Sequence, residues 1–180
     1  VALNPQTLID ELMKLDEPCP PNPASAAQRW FDAWWKYAKN MSHLNQGMDA
    51  LAQGVFVPAL LPGLIQANPL PVFFAQLEAA MRATWTALGT PVGLKQDLPP
   101  APGQFQRLSI IPAPAPFVPL GVATVAIGMA IKDSSGKNVQ RKALGTAIHG
   151  WTMTHMVVAN VWTTTPSGLT PVPGPPLPFM

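Results

Sequence analysis

An α+β fold is predicted: a mainly helical N-terminal body, a small β region, a long C-terminal strand and a proline-rich extended arm. Three observations predict it. Asn4-Pro5 and Asn22-Pro23 each open a segment whose apolar residues recur at helical spacing. A run rich in Thr, Val and Trp, from Trp151 to Thr165, has the composition of a strand. Prolines then crowd the last segment, Pro166 to Met180. The expected division is residues 1–98 as helical body, 99–150 as proline-rich linker with a small helix and strand region, and 151–180 as extended strand and arm.

In the first segment Asn4 is a good N-cap, and Pro5 sits where its missing N–H costs nothing. Leu8, Leu12 and Leu15 make one apolar side, so a helix is expected from Pro5 to about Leu15. Pro18 to Pro23 reads as a stiff connector. The next helix, from Pro23 to about Asn40, carries Trp30, Phe31, Trp34, Trp35 and Ala38 at spacings of three, four and seven. From Met48 to Ala67, Pro58, Pro62 and Gly63 predict short broken pieces rather than one helix. A further helix is expected from about Pro71 to Leu88, with Gly89 closing it.

Residues 89–117 are proline-rich and read as irregular, with a short strand at Gln106 to Ile111. Val118 to Lys132 favours a closely packed helix, although a buried strand fits its pattern too. Asn138 can cap a helix from Val139 to His149, ended by Gly150. Strand is then expected over 151–165, about 46 Å at 3.3 Å per residue. So long a strand exposes unpaired backbone; pairing with another copy or a neighbouring protein is expected to cover it, and pairing with residues 106–111 and 120–131 of the same chain is the alternative. Beyond it the arm should be polyproline II, held by a partner surface through Leu177 and Phe179.

Composition bears on function. Hydrophobic residues make up 48% of the 180 and charged residues 11%, against about 25% charged in an ordinary soluble domain. So few charges protect a surface poorly against association, and coverage by other subunits is expected. The chain holds 23 prolines, more than twice the usual share of about 5%. Net charge is +2, and the C-terminal basic residues Arg107, Lys132, Lys137, Arg141 and Lys142 are too scattered for a nucleic-acid groove. The longest apolar run, Val118 to Ile131, is short for a membrane span and interrupted by Pro119, Gly121 and Gly128. A membrane-associated role through it and Phe56–Leu64 is the lesser alternative, as is a binding module with a proline-rich ligand tail. No leader is expected at Val1.

Catalytic chemistry is not expected. Cys19 is the single cysteine, so no intrachain disulfide or cysteine-based metal site can form. His43, His149 and His155 lack a second ligand at helical spacing. No nucleophile elbow, phosphate loop or dinucleotide fingerprint occurs. No cofactor is expected. The aromatic cluster around Trp30, Trp34 and Trp35 suits packing or a subunit interface better than base stacking. Trp151, Met153, Val157, Val161 and Trp162 on the expected strand, with Leu177 and Phe179 on the arm, complete the candidate interface.

The C-terminal pattern joins a small-residue segment, the helix Val139–His149, the strand Trp151–Thr165 and the Thr-Pro-Ser-Gly and Pro-Val-Pro-Gly-Pro-Pro runs. It resembles structural proteins of tailed bacteriophages and related contractile particles, over about 65 residues. The resemblance implies a virion subunit in a neck, tail or capsid-surface position. Its partners would be further copies of itself and other structural proteins of the particle. It transfers no functional residue.

Overall fold

The computed structural model describes residues 3–15, 18–65, 70–90, 93–95, 104–112, 120, 137–164, 172–173 and 177. They form five helices and a three-stranded sheet: α1 (Pro5–Leu12), α2 (Pro23–Ala38), α3 (Asp49–Ile65), α4 (Leu70–Leu88), β1 (Gln104–Pro112), α5 (Lys137–His155), β2 (Met156–Thr164) and β3 (Val172–Pro173). The fold is α+β, with a helical body and a small β region. The expected helix at 118–132 lies outside the described residues except for Leu120.

The two Asn-Pro starts behave as the sequence implies. Asn4 Oδ1 accepts the Gln6 N–H at 2.9 Å and Asn22 Oδ1 accepts the Ser25 N–H at 2.8 Å, each satisfying a donor that the first helical turn leaves unpaired. α1 ends at Leu12 and its chain continues as a turn to Leu15. α4 ends where expected, with the Gly89 N–H donating to the Trp85 carbonyl at 2.8 Å.

α3 corrects the expectation of broken pieces. It runs unbroken through Pro58 and Pro62. Both prolines are exposed, so the two missing N–H groups lie on the side where water can serve the Gly54 and Pro58 carbonyls. The opposite side buries Ala52, Phe56 and Leu60 completely, and this packing holds the helix together.

The boundary between α5 and β2 is the second correction. The helix continues through Gly150 to His155, and the strand starts at Met156. Leu144, Ala147, Ile148 and Trp151 are all buried and follow i, i+3, i+4, i+7, one helical stripe. Burial along that stripe outweighs the β preference of the Trp-Thr-Met-Thr run. The threonines fit the helix by bonding backward: Thr152 Oγ1 donates to the Ile148 carbonyl and Thr154 Oγ1 to the Gly150 carbonyl, both at 2.8 Å.

β2 is the middle strand of an antiparallel sheet ordered β1-β2-β3. Its pairing is within the chain, which corrects the expected pairing with a neighbour. β1 runs the whole length of β2, from Gln104 opposite Thr164 to Pro112 opposite Met156. On the other side Val161 and Trp162 face Pro173 and Val172 in register. Beyond them the Leu177 N–H donates to the Val158 carbonyl at 2.9 Å. Leu108, Ile110, Met156 and Val158 point inward, while Ile111 is exposed, the alternation a one-sided sheet requires.

A single buried cluster joins these elements, from Leu8 and Leu12 through Trp34, Phe56 and Trp85 to Ile110, Trp151 and Val158. The first and last helices meet in it. Arg141 Nη1 donates to the Met13 carbonyl at 2.8 Å. A β-carbon on Gly145 would stand 2.5 Å from Ile9 Cγ1, so α1 and α5 approach at a distance only glycine allows.

Candidate interaction surface

The candidate interface residues divide sharply. Trp34 stacks on Phe56, centroids 5.0 Å apart, and meets Trp85 edge-on at 5.2 Å. It is 1% exposed. Trp35 is also buried, and its indole N–H donates to Asp49 Oδ1 at 2.7 Å. That bond lowers the Asp49 carboxyl from its ordinary range. Trp151 is buried under α5. These three belong to the chain's own core, where no neighbour reaches them. Trp30 is half-buried against Phe73, centroids 5.2 Å apart. Met153 is exposed on the last turn of α5 and Val157 is half-buried. Val161 and Trp162 carry the β3 pairing. Leu177 is half-buried against the core. Phe179 lies outside the described residues.

An ion pair ties α1 to α2. Glu11 holds Lys36 at 2.6 Å and Lys14 at 2.9 Å, and the Lys36 bond is the first cause of its lowered carboxyl pKa. These residues edge a shallow cleft of about 160 Å³ with Arg29 and Asp32. Arg29 is turned to the Leu15 and Pro18 carbonyls, tying the end of the α1 turn to α2. Asp32, also on the cleft, accepts from Gln28 Nε2 at 2.8 Å.

A second polar group crosses from α4 towards the C-terminal half. Glu78, 9% exposed, accepts the Leu120 N–H at 2.9 Å and pairs with Arg82 at 3.2 Å. The Arg82 guanidinium lies 5.9 Å from the Trp151 ring centroid, and Trp151 stacks on His155 at 5.7 Å. The order carboxylate, guanidinium, indole, imidazole fixes α4 against α5. Among the described residues no three His, Cys, Asp or Glu side chains gather as a metal site would require. Among the same residues no helix is long and apolar enough to cross a membrane.

Sequence reasoning missed one surface. The outer side of α3 carries the exposed Leu51, Gly54, Pro58, Pro62 and Ile65 with the half-buried Leu61 beside them, at spacings of three, four and seven. Ile65 is 63% exposed, the most exposed large apolar residue described. No charged residue occurs from Ala50 to Leu77. A helix that is apolar all round is normally buried all round; α3 is buried on one side only. The stripe was legible in principle, but reading the prolines as breaks removed the helix that reveals it.

The chain matches no family model, no curated protein and no solved structure.

Proposed function

We propose that this chain is a non-enzymatic structural subunit of a virion or phage-like particle, a capsid-surface, neck or tail component that locks neighbouring subunits through its C-terminal arm. One observation supports the reading above the rest. Val172, Pro173 and Leu177 sit on β2 by strand addition, through a two-residue ladder and one further bridge. These contacts are largely main-chain, and β2 of any other copy offers them identically. Residues 165–171, if extended, reach up to about 25 Å. An arm can therefore leave its own β2 and occupy a neighbour's at little net cost, which is the basis of segment exchange in assemblies. The low share of charged residues and the phage-like C-terminal pattern point the same way. The clamp is narrower than the sequence implies: Trp151–His155 are helical, β2 is already paired on both sides, and the arm is the part free to exchange.

Disulfide trapping tests this. In a Cys19→Ser background, Val158→Cys and Leu177→Cys place a thiol on each side of the bridge. Oxidation at high protein concentration should give covalent multimers on a non-reducing gel. Monomers alone, at every concentration, sink the proposal.

A further inference from the structure

The exposed side of α3 is self-complementary, and it rests on the subunit reading above to name its partner. Take Pro58 as a centre. Leu51 and Ile65 lie seven residues to either side, Gly54 and Pro62 four, Val55 and Leu61 three. An antiparallel pair of α3 helices with a twofold axis at Pro58 therefore brings Leu51 against Ile65 of the second copy, Val55 against Pro62, and Leu61 against Gly54. The Gly54 position is a notch: a β-carbon there would meet nothing within 4 Å. Large residues thus meet large ones at the ends, and a leucine meets a notch near the middle.

Charge agrees with this pairing. In a twofold contact each patch meets itself, so any net charge on it would face its own sign. The segment from Ala50 to Leu77 carries none. A face made for an anionic lipid surface would be rimmed by Lys or Arg, and that segment supplies neither.

We infer that the Leu51–Ile65 face of α3 is a twofold contact between two copies of this chain. Its size sets its strength. The helix has 17 residues, about 25 Å at 1.5 Å per residue, and half its circumference covers roughly 400 Å² per copy. The pair buries about 800 Å², below the roughly 1,000 Å² of a stable interface. The contact is weak alone and becomes firm when the arms hold the same copies together.

The test is positional cross-linking of the full chain in a Cys19→Ser background. Pro58→Cys, on the axis, should form a covalent dimer rapidly. Leu51→Cys alone should not, because its symmetry mate lies about 21 Å away along the helix. The double variant Leu51→Cys/Ile65→Cys should cross-link again. Adding Ile65→Lys to Pro58→Cys should slow dimer formation by about tenfold or more, because it puts a charge in the contact; circular dichroism checks that the helix persists. Equal cross-linking at every position, or none at Pro58, overturns the inference. So does flotation on vesicles that Ile65→Lys abolishes, which would make the face a lipid surface. Multimers trapped at 158 and 177 without a Pro58 dimer would leave the subunit reading standing and remove only this contact.

Discussion

The Tyr37 hydroxyl lies 2.8 Å from Nδ1 of His149, joining the end of α2 to α5. Tyr37 is fully buried, and burial pushes its phenol well above the ordinary range. It therefore stays protonated. Burial also holds His149 below its usual value.

The sign of the pH dependence follows. The unfolded chain takes up its proton near pH 6.5, before the folded chain does. Stability from this site is complete above about pH 6.5 and declines as pH falls through the lower, folded value. Urea midpoints measured at pH 7.5 and 5.5 should fall with acid, and His149→Gln should reduce the fall. An unchanged pH slope in that variant would contradict the assignment.

Trp34 is the centre of the aromatic core rather than a contact residue. Trp34→Ala should cost about 3–5 kcal/mol, the range for removing a buried large aromatic side chain. Denaturant unfolding followed by far-UV circular dichroism measures it. Trp30→Ala, at a half-buried site, should cost clearly less.

Glu78 gives a third expectation. Glu78→Ala leaves the buried Leu120 N–H without its acceptor and should cost about 1–3 kcal/mol. Glu78→Gln keeps an amide oxygen for that N–H and should cost less. Thermal unfolding of the two variants orders them.

Two glycines in helices should respond oppositely to the same change. Gly145→Ala drives a methyl into Ile9 and should destabilise by about 1–3 kcal/mol. Gly54→Ala meets open space and should stabilise by about 0.5–1 kcal/mol through helix propensity. Parallel urea titrations of both compare them directly.

The starts of α1 and α2 were legible because capping is local: Asn, then Pro, then an apolar period. α3 was not, because the proline rule says nothing about which side of a helix the proline faces. The end of α5 was misread for a related reason. Trp and Thr preferences at 151–155 are weak beside the burial of Trp151 and Thr152, and burial depends on residues far away in the chain. Strand pairing was hidden likewise, since the register of Ile110 opposite Val158 is a long-range fact. For the candidate interface, spacing told that Trp34 and Trp35 share an apolar side. It could not tell that α3 and α4 of the same chain cover it.

The α1–α5 contact has a consequence for synthesis. Met13 and Arg141 are separated by 128 positions. At roughly 5–20 residues per second, about 6–26 s pass between their translation. Throughout that interval α1 has α2 beside it but lacks α5, the second helix it packs against. The packing of α1 is therefore completed only when α5 emerges, and a ribosome halted before Lys137 holds a chain whose α1 still shows the side that faces Gly145.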